Sequence, residues 1–202
     1  EREFRHSVIA FGGGVLVSAV ALVLAPRGIA SVSVAVSAGA MLAGGLGFMG
    51  LDIALARRGT SASQLAATLA DFLPEAIALG AMAATGKMNV ACLLALMIAL
   101  QNLPEGFNAC REMVNGGMRR RVVLGGFFAL SALGPVSGAI GMTLLAGRDA
   151  LVGAIMLVGA GGILYTVFQD IAPQARLQRH RAPTLGAVLG FVAGMIGHQL
   201  IH

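Results

Sequence analysis

Long apolar runs separated by short polar breaks dominate this chain. Most runs are about 20 residues, long enough to cross a bilayer core of about 30 Å as helices. They do not alternate as barrel strands do. The pattern predicts seven membrane-spanning helices at 7–25, 31–54, 62–85, 89–113, 122–146, 150–172 and 184–201. The breaks carry turn and stop signals: Pro26-Arg27-Gly28, Arg57-Arg58-Gly59, Gly86-Lys87, Gly116-Gly117 with Arg119–Arg121, Gly147-Arg148, and the stretch from Arg176 to Pro183. The expected fold is an all-α polytopic bundle forming one membrane domain over 1–202.

Composition supports that class. The 202 residues are 57% hydrophobic and only 11% charged. Soluble domains run nearer 25% charged. The 29 glycines suit close helix packing in lipid, and there is no Trp, which leaves Tyr165 and a few Phe as aromatic anchors. Cys92 and Cys110 fall in one predicted helix, about 27 Å apart, too far for a disulfide. They read as two buried thiols.

The net charge of +5 first suggests nucleic acid, but its distribution says otherwise. Of the 14 Lys and Arg, eleven fall on one side of the seven-span layout. Arg27, Lys87 and Arg148 fall on the other. Such asymmetry places the richer side, including 57–58, 119–121 and 176–181, in the cytoplasm. The chain is then expected to start inside and end outside, in a bacterial inner membrane, with no nucleic-acid partner. Glu1-Arg2-Glu3-Phe4-Arg5 is not a signal-peptide start, and an upstream segment is expected.

Three carboxylates fall deep within predicted spans: Asp71, Glu75 and Glu105. A charge at mid-bilayer costs about 2.5–3.5 kcal/mol on insertion scales, so each needs a partner or a role. No Lys or Arg lies deep enough to neutralise them, and a bound cation would. Asp71-Phe72-Leu73-Pro74-Glu75-Ala76 is echoed 30 residues later by Gln101-Asn102-Leu103-Pro104-Glu105-Gly106. Asp71 and Glu75 share a helix face, as do Gln101 and Glu105. The turn at Gly86-Lys87 makes the two helices an antiparallel hairpin. It sets both motifs at equal depth, about 22 Å from the turn. Each proline also frees a carbonyl, that of Ala70 or Leu100. This all-oxygen set, with Asn102 adjacent, suits Mn²⁺, Fe²⁺, Ca²⁺ or Mg²⁺ and tolerates Zn²⁺ or Cd²⁺. His198 and His202 read as interfacial, and His180 as solvated.

The doubled Leu-Pro-Glu hairpin resembles the ZIP (Zrt/Irt-like) family of divalent metal transporters. Typical bacterial members carry His-Asn-x-Pro-Glu-Gly in one helix and that motif or Gln-Asp-x-Pro-Glu-Gly in the next. The run from Phe11 to Pro26 looks like the family's second helix. Tyr165-Thr166-Val167-Phe168-Gln169-Asp170-Ile171-Ala172-Pro173-Gln174 looks like its seventh. ZIP proteins have eight helices with both ends outside, and the seven spans fit helices two to eight with the first one missing. The resemblance implies a metal site at Asp71, Glu75, Gln101 and Glu105, with Asn102 matching part of an adjoining second site. It also implies a homodimer whose transport part slides against a scaffold. A cation (Zn, Fe, Mn or Cd) would pass toward the cytoplasm, leaving by Asn108, Glu112 and Asp170.

Three positions depart from the family pattern. Asp71 stands where His is usual, Phe72 where Asn is usual, and Gly134 near the place of a Glu. In the seventh helix only Asp170 survives of the usual acids. The paired site is thus reduced to one. The alternative reading is a ZIP-like scaffold or accessory subunit that does not transport. Catalysis is not expected: His-Glu-x-x-His, Gly-x-Ser-x-Gly and Walker patterns do not occur in the sequence.

Overall fold

The computed structural model describes residues 2–56, 72, 79, 88–176 and 182–201. The predicted span 62–85 lies largely outside the described residues, as do Arg57, Arg58, His180 and His202. The described secondary structure is entirely helical. Helix α1 (Arg2–Ala19) runs through a π-helical turn, π1 (Val20–Leu24), into α2 (Ala25–Ser31). Then come α3 (Val34–Ala56), α4 (Met88–Asn115), α5 (Arg120–Ser131), α6 (Leu133–Ile140) and π2 (Gly141–Leu145). The last stretch is α7 (Asp149–Thr166), π3 (Val167–Ile171), α8 (Ala172–Ala175) and α9 (Ala182–Ile201).

Among the described residues, four continuous helices are long and apolar enough to cross a membrane: Glu3–Ser31, Val34–Ala54, Asp149–Ala175 and Ala182–Leu200. They correspond to the first, second, sixth and seventh predicted spans. On α3 the large apolar side chains Val36, Leu42, Leu46, Met49 and Ile53 are exposed. That surface would be a liability in water and is ordinary against acyl chains. In the fourth predicted span the apolar helical stretch among the described residues is Met88–Leu100, although α4 continues to Asn115. The fifth is interrupted at Ala132, just before Pro135, instead of forming one helix. Pro135 has no N–H to donate to the Ser131 carbonyl, which is where the first segment ends.

The break predicted at Pro26-Arg27-Gly28 is also not where the helix ends. The first span runs on to Ser31, and the sixth runs through Pro173 to Ala175. In both, a π turn ends just before the residue that precedes the proline. The Ala25 N–H bonds to the Val20 carbonyl, and the Ala172 N–H to that of Val167. The wider turn shifts the carbonyl that the proline ring would otherwise strike, so the helix bends rather than stops. The cysteines are free, but not both buried as expected: Cys92 is exposed and Cys110 half-buried. Cys92 falls on the outward side of α4, while Val90, Leu94 and Met97 enter the core.

Glycine contacts reveal how the helices run. A Cβ at Gly186, Gly190 or Gly194 of α9 would strike Ser7, Phe11 or Ser18 of α1, in ascending order along both helices. Helices α1 and α9 are therefore parallel and nearly in backbone contact, held by a small-xxx-small stripe. On α3, Gly45 neighbours Gly161, Phe48 meets Gly162, and Asp52 meets Tyr165, so α3 and α7 are also parallel. The contacts Gly28 to Leu157, Gly13 to Ile171 and His6 to Gln174 make the first span antiparallel to the sixth. Gly197 meets Leu93 and Gly194 meets Met97, so α4 opposes α9. It follows that α3 and α4 run the same way, and the end of α3 and start of α4 lie at opposite ends of the bundle. The main core lies between α1, α4 and α7, around Val15, Val23, Leu94, Met97, Met156 and Ala160.

Candidate functional site

Of the expected metal ligands, Asp71 and Glu75 lie outside the described residues. Gln101 and Glu105 are in α4, which is helical without interruption through Pro104. Their i,i+4 spacing therefore puts them on one helix face. The side chains of Gln101, Glu105, Asn108 and Glu112 lie outside the described residues. Among the described residues, no group of three or more His, Cys, Asp and Glu is placed to hold a metal ion.

Asn102 is described. Its side chain is half-buried, and its Nδ2 is buried without a hydrogen bond among the described residues. A buried amide donor without a partner costs about 1–3 kcal/mol. It marks this turn of α4 as polar within an apolar helix. Phe72 is half-buried and packs against the main core. An aromatic ring there contributes apolar contact and no ligand atom.

Asp170, expected on the exit path, stands in π3 and is exposed. The spacing of residues along the chain gives no sign of its setting. Tyr165 on α7 donates its hydroxyl to Asp52 Oδ2 on α3 at 2.9 Å. Asp170 lies within electrostatic range of both. Two carboxylates and a phenol thus gather near the C-terminal ends of two parallel helices, all on the side assigned to the cytoplasm. Nearby, His6 Nδ1 donates to the Gln174 carbonyl at 2.7 Å. That bond satisfies an orphan acceptor at the end of α8 and ties it to the start of α1.

A repeat visible in the sequence underlies this pairing. Gly44-Gly45 leads to Asp52-Ile53-Ala54, and Gly161-Gly162 leads to Asp170-Ile171-Ala172. The contacts are reciprocal: a Cβ at Gly44 would strike the Val158 carbonyl, and one at Gly161 the Met41 carbonyl. Both carbonyls lie three residues before the opposing glycine, the signature of a local two-fold between parallel helices. Phe48 and Tyr165 occupy equivalent positions. The second copy then carries one extra residue before its Asp, and π3 is where the helix absorbs it. Asp170 lies inside that wider turn, whereas Asp52 lies in regular α-helix.

In comparisons with known proteins, the chain matches no family model and no curated protein.

Proposed function

We propose that this chain is a divalent-cation transporter of the ZIP kind, moving Zn, Fe, Mn or Cd toward the cytoplasm of a bacterial inner membrane. One observation carries the reading: a Pro-Glu motif occurs twice, 30 residues apart in the sequence, and its second copy sits in an unbroken helix with Gln101 and Glu105 on one face. Asp71, Glu75, Gln101 and Glu105 would supply an all-oxygen ligand set, which suits hard and borderline divalent cations. Asn102, whose Nδ2 is buried without a hydrogen bond among the described residues, adjoins it.

Helix directions support the seven-span layout behind this reading. The shared direction of α3 and α4 fits a chain that crosses once between them. Parallel α1 and α9 fit a first and a last span that both run outward. Close glycine packing of α1 on α9 and α3 on α7 suits a rigid scaffold, and we assign it that role in a homodimer. A cation released past Asn108 and Glu112 would meet Asp170 and Asp52 at the cytoplasmic end.

The second reading is a scaffold or accessory subunit that no longer transports. Phe72 favours it, since the ring packs into the core where a ligand would stand. Proteoliposome flux decides between the two. Uptake of at least one of Mn²⁺, Fe²⁺, Zn²⁺ or Cd²⁺ above a Glu75→Ala/Glu105→Ala blank is the expected result. Wild type indistinguishable from that blank for every cation would leave the scaffold.

A further inference from the structure

The hairpin of α4 and α5 closes with a tightly built turn. Gly117 adopts φ +94°, and its N–H bonds to the Val114 carbonyl at 3.1 Å. The Met118 N–H reaches back to the Met113 carbonyl at 3.1 Å. This pair of bonds is a Schellman motif, and Met118 packs against the cluster that contains Met113. Ala109, Met113 and Val123 form a small separate core, joined by Met118 and Phe127. Two backbone bonds and this small apolar core thus fix the course of the chain around the turn.

It displays arginine. Arg119, Arg120 and Arg121 follow the turn in succession, and all three are exposed. Arg111, also exposed, lies about one helical turn before the end of α4. Between 109 and 122 the only acid is Glu112, so four arginines face one carboxylate. Arg119 caps α5 with its backbone carbonyl, which accepts from Val122 and Val123. Cations are disfavoured at that end of a helix. With the side chains exposed, packing gives no compensation.

Directly below the arginines the hairpin is apolar and open. Leu103 and Phe107 on α4 are 78% and 69% exposed, and Phe128 on α5 is 82% exposed. Around the turn, Phe107 and Phe128 fall at similar depth, about 12 Å from the arginines. A cationic rim above an exposed apolar strip matches one ligand: a phosphate headgroup with acyl chains attached.

We infer that this end of the α4–α5 hairpin is a binding site for an anionic phospholipid of the cytoplasmic leaflet. The arginines hold the phosphate, and the strip of Leu103, Phe107 and Phe128 takes an acyl chain. The inference rests on the membrane orientation proposed above and is independent of the metal. Each surface arginine contributes about 1 kcal/mol toward an anionic headgroup, or about fivefold in affinity.

The test titrates the delipidated full chain in detergent with phosphatidylglycerol or phosphatidylcholine and reads retained lipid by native mass spectrometry. Wild type is expected to hold phosphatidylglycerol at least about tenfold more tightly. Arg119→Gln/Arg120→Gln/Arg121→Gln should abolish the preference, and the triple Lys variant should keep most of it. If the Gln triple does not fold, Arg111→Gln and Arg120→Gln singly should each weaken binding about fivefold. Equal retention of the two lipids by wild type, or an undiminished preference in a folded Gln variant, overturns the inference. So does glycerol phosphate binding as tightly as the whole lipid, which would make the site one for a soluble anion. None of these outcomes depends on metal flux, so this site and the transport reading stand or fall separately.

Discussion

The Tyr165 hydroxyl and Asp52 Oδ2 are 2.9 Å apart across 113 positions of chain, and they join two parallel helices at the same end. Phe48 occupies the place in α3 that Tyr165 occupies in α7. The hydroxyl is what turns a symmetric helix pair into an asymmetric one.

Removing that hydroxyl should loosen the α3–α7 crossing. The bond is a direct side-chain tie between these two helices, so its loss should be felt at their crossing. We expect Tyr165→Phe to lower the thermal midpoint in detergent by a few degrees, with Asp52→Asn doing the same. The double variant should be no worse than the poorer single, because both remove one interaction. Fully additive losses would show that the two groups act independently.

Close helix approach gives a sharper contrast. A Cβ at Gly161 or Gly190 would strike the carbonyl of Met41 or Phe11, whereas at Gly39 or Gly47 it would meet nothing. Gly161→Ala and Gly190→Ala must push backbones apart and should each cost about 1–3 kcal/mol. Gly39→Ala and Gly47→Ala should be neutral or stabilising by up to about 1 kcal/mol, through helix propensity. Unfolding curves of the four variants check this ranking. A loss at Gly47 equal to that at Gly161 would place an unseen surface against α3.

Much of this architecture is legible in the chain, because lipid imposes a simple rule on it. Runs of about 20 apolar residues become helices where nothing else satisfies the backbone. Four of the predicted spans appear as long apolar helices. Prolines mislead at both ends: Pro26 and Pro173 look like stops, but a π turn lets the helix pass each one. Pro104 passes within one unbroken helix, while the helix ahead of Pro135 stops at Ser131. The Gly-Gly and Asp-Ile-Ala repeat is written in plain view. It is hidden by the one-residue difference in spacing that π3 absorbs. The arginine run reads in sequence only as a sign of topology, since nothing in one dimension shows an apolar strip beneath it. For the proposed metal site, sequence carries nearly the whole argument, and the helix through Pro104 adds the shared face of Gln101 and Glu105.

Orientation can be tested at positions the fold recommends. Gly147 is a poor choice for a reporter, since its φ of +73° would strain any side chain. Asp149 and Asn115 are exposed and lie at the ends assigned to the outside and the cytoplasm. In a chain lacking Cys92 and Cys110, a cysteine at 149 should react with an impermeant thiol reagent in intact cells. One at 115 should react only after lysis. The reverse pattern would invert the topology, and with it the direction of transport and the leaflet assigned to the arginine site.

The proposed metal site makes a prediction in which pH and side-chain chemistry act together. Carboxylates bind a cation only when deprotonated, so protons and metal compete for Asp71, Glu75 and Glu105. Raising the pH removes the competitor, and affinity should rise until the site is fully ionised. Glu75→Gln or Glu105→Gln leaves one fewer charge to oppose the cation. Each should weaken binding by at least about tenfold, or about 1.4 kcal/mol, and flatten the pH dependence because fewer protons are displaced. Metal titration of the purified chain over a pH series reads both effects. The cation order tests the ligands themselves. Imidazole is the ligand that helps zinc most, and the proposed site has Asp71 and no His. Mn²⁺ or Fe²⁺ should therefore gain on Zn²⁺ relative to an Asp71→His variant. If Asp71→His leaves the order unchanged while Glu75→Gln and Glu105→Gln both abolish binding, Asp71 is not a ligand and the site closes on the two glutamates and Gln101. If neither glutamate variant changes affinity at any pH, the metal site is not there at all.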